Sequence, residues 1–353
     1  MLVGGKGTRL RPLTLTAPKP MLPTAGVPFL THQLAHARAA GVDHVVLATS
    51  YRAETFEQHF GDGSVLGLDL EYVTEIEPMG TGGGIRNVSA RLRGDADSPV
   101  LVLNGDVLSG HNITAQLALH AKHDAAVTLY LTEVDDARAF GCVPIDAQSR
   151  VTAFLEKMPE PVTNLINAGC YVFRRDVIDT IPYGQVVSVE RETFPQLLER
   201  GATVMGYVDS GYWLDLGTPA AFVQGSCDLV RGIAPSPALP GPVGEALVHA
   251  GAQVATSAIV VGGSCIGGGV VVGENAVVDG SVVFDDAIIE AGARVRASVI
   301  GRGARIGAGA VLDGVVVGDQ ADIGSGNELL TGVRVWPGVL LEPGSVRFSS
   351  DES

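Results

Sequence analysis

Apolar residues recur every six positions through the last third of the chain. The series is Val254, Val260, Ile266, Val272 and Val278, then after small shifts of phase Ile289, Val295, Ile300, Ile306, Val317, Ile323, Leu329 and Val335. Glycine often precedes or follows these positions. Short strands repeated at this period, each with one inward apolar residue, form the faces of a triangular coil. The repeat therefore predicts a left-handed parallel β-helix over residues 251–345, followed by a polar tail at residues 346–353.

The residues before the repeat alternate short apolar runs with amphipathic stretches. The apolar runs predict strands at residues 44–50, 70–74, 100–104, 127–134 and 170–173. Apolar spacings of three and four predict helices at residues 30–40, 113–123 and 189–200, and Thr218-Pro219 is a typical start for a helix to about residue 229. This alternation favours a Rossmann-like α/β domain with a mixed, mostly parallel sheet. We assign residues 1–232 to this domain and the proline-rich residues 233–250 to a linker.

A glycine-rich turn with a cluster of cations opens the chain. The glycines are Gly4, Gly5 and Gly7, and the cations are Lys6, Arg9, Arg11 and Lys19. Glycine lets main-chain amides approach phosphate oxygens closely, and the cations compensate phosphate charge. The first acidic residue is Asp43, although the chain carries a formal net charge of −15. The sequence therefore predicts a local site for a nucleoside triphosphate.

Two better-known phosphate motifs do not fit this loop. A dinucleotide fingerprint would place its third glycine where the chain has Leu10, and no Gly-Lys-Ser/Thr triplet follows a glycine at P-loop spacing. The spacing therefore disfavours a dehydrogenase and a P-loop kinase.

The composition restricts the partners and the compartment. Nucleic acid and anionic membranes bind preferentially to basic protein surfaces. The net charge of −15 therefore argues against either as the main partner. The four cysteines lie far apart without CxxC spacing, which indicates reduced core residues and no metal cluster. No apolar run approaches the ~18 residues that cross a bilayer. We expect a soluble, cytoplasmic protein.

The opening loop, residues 4–11, together with Pro18-Lys19-Pro20, resembles the signature of the sugar-nucleotide pyrophosphorylases. The resemblance implies that the loop wraps a triphosphate. The implied phosphate contacts are Gly4, Gly5, Gly7, Thr8 and Arg9, with Lys19 near the reacting α-phosphate.

Two aspartates are candidate metal ligands. Asp106 follows the apolar run 100–103, which places its carboxylate at the carboxyl end of a strand, where ligands of open α/β sheets bind. Asp215 stands in the segment 212–219, which is similar to a segment of the same family. Taken alone, either residue fits a turn or a cap. The family context favours Mg²⁺, which takes one or two carboxylates plus substrate phosphates.

Five further segments are similar to the same family. The glycine cluster with Gly80, Thr81 and Gly82 resembles the loop that binds the base through main-chain contacts, and its pattern suits a purine. The implied contacts to the sugar and its phosphate are Gly141, Glu156, Lys157 and Asn167. The segment 327–337 resembles the closing part of the mannose-1-phosphate guanylyltransferases within this family.

The resemblance implies that the chain joins GTP and mannose 1-phosphate into GDP-mannose and pyrophosphate. Arg9, Lys19, Asp106 and Asp215 are then the candidate catalytic residues, with Mg²⁺ as cofactor. A phosphate monoester is already a nucleophilic anion, so the reaction needs positioning and charge neutralisation rather than a strong base.

Three alternatives remain open. One is the same reaction with another nucleotide and sugar, of the ADP-glucose, UDP-glucose or heptose-phosphate type. Another is a β-helix that transfers acyl groups, although that chemistry usually needs a histidine base and no histidine follows His249. The third is a non-catalytic regulatory subunit, which would have lost the cations or carboxylates that this chain keeps.

Two further expectations concern assembly and the chain start. The ends of a β-helix need partners or caps to shield their strand edges, so we expect a homo-oligomer. Only Leu2 and Val3 lie between Met1 and the glycine loop, and a strand in a sheet usually has about 5–6 residues. We therefore expect the native polypeptide to begin several residues upstream, with an apolar run that completes a central strand.

Overall fold

The computed structural model describes residues 1–155, 157, 159–239, 241 and 244–348, and these residues pack as two units. The first unit consists of Met1–Gly5 and Gln33–Trp213. The second unit consists of Lys6–His32 and the described residues from Leu214 onward. The segment Lys6–His32, which carries most of the glycine-rich loop, therefore packs with the C-terminal part of the chain. The boundaries inferred from the sequence, at residues 232 and 250, stay a prediction.

Ten strands and seven helices are assigned between Pro23 and Arg231 in the described residues. The strands are β1 Pro23–Thr24, β2 Val27–Pro28, β3 His44–Thr49, β4 Asp69–Thr74, β5 Pro99–Leu103, β6 Val107–Ser109, β7 Val127–Glu133, β8 Leu165–Arg174, β9 Val204–Val208 and β10 Trp213–Asp215. The helices are α1 Phe29–Ala39, α2 Ala53–Phe60, α3 Gly80–Asn87, α4 Ile113–Lys122, α5 Arg175–Asp179, α6 Phe194–Glu199 and α7 Pro219–Arg231. A π-helical turn, Val189–Thr193, leads into α6.

The first unit is built on a mixed sheet in which the described strands follow the order β4, β3, Leu2, β5, β8, β7 and β9. Leu2 forms parallel bridges to Ala48 on one side and to Asn104, just after β5, on the other. Among these strands only β8 runs antiparallel to its neighbours. The expectation of a mixed, mostly parallel sheet is confirmed.

Local sequence signals explain several element ends. Asn112 begins α4 by accepting a hydrogen bond from the amide of Ala115, and Thr218 begins α7 by accepting one from Ala221. Strand β8 starts at Leu165, five residues before its predicted start, because it pairs with β7 through Asn167 and Leu165. The added residues 165–169 include Asn167 and Gly169, which are uncommon in strands, so their own sequence does not indicate a strand.

The second unit contains a parallel β-helix of short strands. Its described strands are β11 Ala246–Val248, β12 Gln253–Val254, β13 Ile259–Val261, β14 Ser264–Ile266, β15 Val271–Val272, β16 Val277–Asp279, β17 Val282–Val283, β18 Ile288–Ile289, β19 Arg294–Arg296, β20 Val299–Ile300, β21 Arg305–Ile306, β22 Val311–Asp313, β23 Val316–Val317, β24 Asp322–Ile323, β25 Glu328–Leu329, β26 Arg334–Val335 and β27 Leu340–Leu341. They form three parallel sheets, and within each sheet a strand pairs with the strand that comes three later in the chain, as β11 pairs with β14. The predicted parallel β-helix is confirmed, and its left hand stays a prediction.

The shifts of phase in the repeat have a structural cause. Most central turns stack with a repeat of 17 residues, as where the Ser281 amide donates to Ser264 Oγ and the Ser298 amide to Ser281 Oγ. Three full hexapeptides would make a turn one residue longer than this repeat. One of the three sides of these turns is therefore shorter by one residue. The buried serines satisfy main-chain amides at this shortened corner.

The inward positions form one apolar stack. Ile266, Ile289 and Ile306 are fully buried in it, as the repeat predicts. Val254 differs, because 37% of its surface is exposed. It lies on β12, the first strand of its sheet, and no earlier turn covers it.

We expect Ile289→Ala to destabilise the protein by about 2–5 kcal/mol, because it removes a fully buried side chain and leaves a cavity. Ile288→Ala is the matched control, since the neighbouring isoleucine is 41% exposed and should cost about 1 kcal/mol or less. Urea unfolding measures both free energies. Equal losses for the two variants would contradict the inward assignment.

Candidate active site

The glycine-rich loop of the second unit is fixed by its own main chain. Gly7 has a left-handed backbone with φ of 55°, and its carbonyl accepts hydrogen bonds from the Leu10 amide at 3.0 Å and from Thr14 Oγ1 at 2.8 Å. A Cβ at residue 7 would lie 2.9 Å from Thr14 Cγ2 and 3.3 Å from Lys19 Cβ. Both the backbone angle and the space therefore require glycine here.

The cations of this loop differ in their surroundings. Lys6 and Arg9 are exposed, and neither has a carboxylate within salt-bridge distance in the part of the chain that the structure describes. The Arg9 guanidinium lies against Gly217, where an added Cβ would be 2.7 Å from Arg9 Nη2. Sequence reasoning missed Gly217. Its absent side chain leaves the space in which the Arg9 guanidinium lies.

Lys19 forms an ion pair within the second unit. Its Nζ lies 3.7 Å from Asp215 Oδ1, and the two side chains are 11% and 33% exposed. Asp215 Oδ1 is buried and has no hydrogen-bond partner in the described structure. A buried carboxylate oxygen without a donor suits a hard cation, which prefers oxygen ligands. Asp215 therefore fits a Mg²⁺ ligand, with Lys19 beside it as a second positive charge.

The β-helix reaches the same loop. The Arg334 guanidinium of β26 donates a 2.9 Å hydrogen bond through Nη1 to the carbonyl of Arg11. On the two preceding strands of this sheet the corresponding positions are the buried apolar residues Val299 and Val316. The β-helix thus contributes a charged contact to the glycine-rich loop.

Gly4 and Gly5 belong to the first unit. The Gly5 amide donates to Ser50 Oγ at 3.2 Å, and Gly5 has a φ of 119°. A Cβ on Gly4 would lie 2.9 Å from the same oxygen. The turn after Leu2 therefore packs closely on the end of β3.

Asp106 lies in a tight turn between β5 and β6 of the first unit and is half-buried. The preceding Gly105 donates its amide to the carbonyl of Leu2 at 2.8 Å, and a Cβ on Gly105 would lie 2.6 Å from that oxygen. Asn104 donates its amide to the carbonyl of Gly169 at 2.9 Å. As predicted, the carboxylate follows the carboxyl end of a strand. The chemistry of its oxygens suits Mg²⁺.

The three sugar-side segments are neighbours in the first unit. Cys142 exchanges two 3.0 Å backbone hydrogen bonds with Leu155, and Val143 donates to the carbonyl of Leu165. Gly141 and Asn167 therefore lie on adjacent extended segments. Lys157 is exposed, and Glu156 lies outside the described residues.

The glycine cluster at the start of α3 is shaped by packing. The amides of Gly82 and Gly83 both donate to the carbonyl of Val187, at 2.8 and 3.2 Å. A Cβ on Gly80 would lie 2.6 Å from the same oxygen. The amide of Gly82 thus already has a hydrogen-bond acceptor within the first unit.

Glu190, which the sequence analysis missed, accepts hydrogen bonds from three separate parts of the first unit. Glu190, on the π-helical turn, accepts 2.8 Å hydrogen bonds from Thr81 Oγ1 and Ser188 Oγ, and one at 3.3 Å from Tyr171 OH. Burial, followed by the nearby Glu190, raises the pKa of Tyr171 well above its usual value. Tyr171 also accepts a hydrogen bond from Asn167 Nδ2 at 3.0 Å. Thr81 and Asn167, which the sequence analysis predicts for the base and for the sugar, are therefore joined by one polar network through Glu190 and Tyr171.

Metal clusters, reactive cysteines and cavities are the other features that could carry chemistry. The described residues contain no group of three or more His, Cys, Asp or Glu that could hold a metal ion. The four cysteines are unpaired and buried, and burial raises the pKa of Cys227 and Cys265 to about 12. A cavity of about 300 Å³ in the first unit is lined by apolar residues of β3 and β5 and by none of the predicted site residues.

No helix in the described part of the chain has the length and apolar character to cross a membrane.

Two family models together match most of the chain. One, described as Nucleotidyl transferase, matches residues 1–232, and one described as GMPPB C-terminal domain matches residues 242–343. A mannose-1-phosphate guanylyltransferase of Mycobacterium tuberculosis is 60% identical over 99% of this chain and 97% of its own. The mannose-1-phosphate guanylyltransferase catalytic subunit beta of Drosophila melanogaster is 36% identical over 72% of this chain and 70% of its own.

Solved structures resemble about two thirds of the chain. HddC from Yersinia pseudotuberculosis, complexed with GMP-PN, is 27% identical with a TM-score of 0.55, covering 65% of this chain and 97% of that chain. A putative glucose-1-phosphate thymidylyltransferase from Bacillus anthracis is 21% identical, with a TM-score of 0.58 over 64% of this chain and 92% of that chain. The latter supports the fold alone.

We expect Gly217→Ala to weaken triphosphate binding while leaving the fold intact, because the new methyl group would displace the flexible end of Arg9. Gly268→Ala is the matched control, since a Cβ there has its nearest neighbour at 3.6 Å. Titration calorimetry with a non-hydrolysable triphosphate and thermal melting measure the two effects. Unchanged triphosphate affinity in Gly217→Ala would contradict the placement of Arg9.

Proposed function

The chain belongs to the nucleotidyl transferase family, and we propose that it is a mannose-1-phosphate guanylyltransferase, which converts GTP and mannose 1-phosphate into GDP-mannose and pyrophosphate. The observation that carries the proposal is the 60% identity to the M. tuberculosis protein of that name, over nearly the whole of both chains. The glycine loop, its cations and both carboxylates are all present, which argues against a non-catalytic subunit.

The glycine-rich loop would hold the triphosphate. Gly5, Gly7 and the hydroxyl of Thr8 are the groups that we assign to phosphate oxygens. The Gly5 amide already donates to Ser50 Oγ, so Gly5 would contribute by letting the main chain approach closely. Arg9 is exposed and has no carboxylate neighbour in the described structure, so its charge is available to a phosphate. Lys19 is mostly buried, and we place its charge near the α-phosphate, where charge builds up during transfer.

We propose each of Asp106 and Asp215 as a Mg²⁺ ligand. When bound, the ion supplies charge neutralisation and orientation to the transferring phosphoryl group. Asp215 brings a buried oxygen without a hydrogen-bond partner in the described structure, and Asp106 brings a carboxylate on a turn fixed by main-chain hydrogen bonds.

The sugar phosphate would attack the α-phosphorus in line, with pyrophosphate leaving on the opposite side. The phosphate of mannose 1-phosphate is itself the nucleophile, so no residue needs to remove a proton. We assign Lys157 to the sugar's phosphate and Gly141, Glu156 and Asn167 to its hydroxyls. Thr81 and its glycine neighbours are assigned to the guanine side.

Assembly and location complete the proposal. We propose a homo-oligomer, because β26 and β27 each pair on one side only within the described residues and Trp336 and Leu340 are 46% and 60% exposed. We place the protein in the cytoplasm, where unpaired cysteines persist.

The experiment that tests the proposed function is a substrate panel. GTP, ATP, UTP and dTTP are each combined with mannose, glucose and heptose 1-phosphates, with Mg²⁺ and with EDTA. We expect kcat/KM to be highest for GTP with mannose 1-phosphate and turnover to be lost in EDTA. A higher kcat/KM with another pair of substrates would assign the protein to the ADP-glucose, UDP-glucose or heptose-phosphate type. Full turnover in EDTA would show that the reaction does not need Mg²⁺.

A further inference from the structure

Two side chains of α1 bind the main chain around the Asp106 turn. Gln33 Nε2 donates to the carbonyl of Asn104 at 2.8 Å and to that of Val107 at 2.9 Å. These carbonyls flank Gly105 and Asp106 on either side. Both are acceptors, so the amide nitrogen of Gln33, with its two hydrogens, must face them.

His36 lies one turn further along α1 and continues the same arrangement. Its Nδ1 is 2.8 Å from the carbonyl of Ser109, and its Nε2 is 3.0 Å from the carbonyl of His111. Both ring nitrogens thus face main-chain carbonyl oxygens. Together Gln33 and His36 bind four carbonyls in the eight residues that follow β5.

The far end of this segment is anchored independently. The ring of His111 is buried, stacks on Tyr130 with centroids 4.0 Å apart, and lies 3.1 Å through Nε2 from Gln116 Oε1. Burial, with the neighbouring His36 as a second cause, lowers the pKa of His111 to about 4, so this ring is neutral near neutral pH. The segment therefore has a fixed end at His111 and a carboxylate near its start.

We propose that Gln33 and His36 are positioning residues that hold the Asp106 turn in a metal-binding conformation. The inference rests on the proposed function, because it acts through the assignment of Asp106 to Mg²⁺. Gln33 is only 8% exposed, so its donors are fixed by packing as well as by the carbonyls. Residues that orient a metal ligand typically affect metal affinity or activity by about 10–100-fold when replaced.

The test uses two pairs of variants on the full-length protein. Gln33→Leu removes both donors, whereas Gln33→Met keeps the length of the side chain without them. His36→Leu removes both ring nitrogens, whereas His36→Gln keeps a side-chain nitrogen with two N–H groups. His44→Leu is the control, since it removes a histidine of the same unit whose Nε2 lies 3.0 Å from Glu71 Oε1.

Two readouts separate positioning from stability. The first is the Mg²⁺ concentration that gives half-maximal turnover, together with KM for mannose 1-phosphate. The second is Mn²⁺ affinity in the presence of GDP-mannose, followed by electron paramagnetic resonance and corrected with a protein-free titration. Thermal melting reports the stability of each variant.

We expect Gln33→Leu, Gln33→Met and His36→Leu to weaken both metal readouts by about 10-fold or more with little change in KM for the sugar phosphate. His36→Gln should recover most of the affinity, and His44→Leu should change only the melting temperature. If the Gln33 variants do not fold, the difference in metal affinity between His36→Leu and His36→Gln tests the positioning role.

Folded variants that melt earlier but keep wild-type Mg²⁺ and Mn²⁺ dependence would overturn the positioning role. That result is distinct from a failure of the proposed function, which would appear as wild-type protein without guanylyltransferase activity.

Discussion

The ion pair between Lys19 and Asp215 is the interaction on which the account of the site depends. An acidic chain must hold a polyanionic substrate, so positive charge has to be concentrated where the phosphates lie. Lys19 is mostly buried beside a carboxylate whose Oδ1 has no hydrogen-bond partner in the described structure. Lys19 lies 3.7 Å from the carboxylate that we propose as a metal ligand, so two sources of charge neutralisation would lie at one place. Another cation of the loop, Arg9, occupies the space that Gly217 leaves open.

The sequence predicted the parts of the fold that depend on local pattern. The six-residue repeat located the β-helix because every inward position contacts its own neighbours in the stack, as Ile289 and Ile306 do. The site residues were predicted through motifs, and the structure places Asp106 on a turn after β5 as expected. The parts that were missed depend on partners distant in sequence. In the sequence Gln33 looks like an ordinary polar position of a helix. Its two acceptors lie 71 and 74 residues away, so no local pattern indicates its contacts.

The glycines show the same difference between local and distant causes. Gly7 could be predicted, because a tight loop next to cations is a recognisable pattern. The glycines of the 80–84 cluster have a second reason, since Gly80 and Gly82 pack against Val187, more than a hundred residues later. The assignment of the segment Lys6–His32 to the same unit as the β-helix was likewise not evident from the sequence. Arg334 shows one consequence, a β-helix residue that binds the main chain of the glycine-rich loop.

The central claim is that the protein transfers a nucleotidyl group by positioning and charge neutralisation, in one in-line step and without a covalent enzyme intermediate. The stereochemical course at phosphorus tests this most directly. GTP that carries sulfur at the α-phosphorus in a single configuration is converted with mannose 1-phosphate, and the configuration of the thio-substituted GDP-mannose is determined by phosphorus nuclear magnetic resonance. A single displacement predicts inversion. Retention would require two successive displacements through an enzyme nucleophile and would contradict the account.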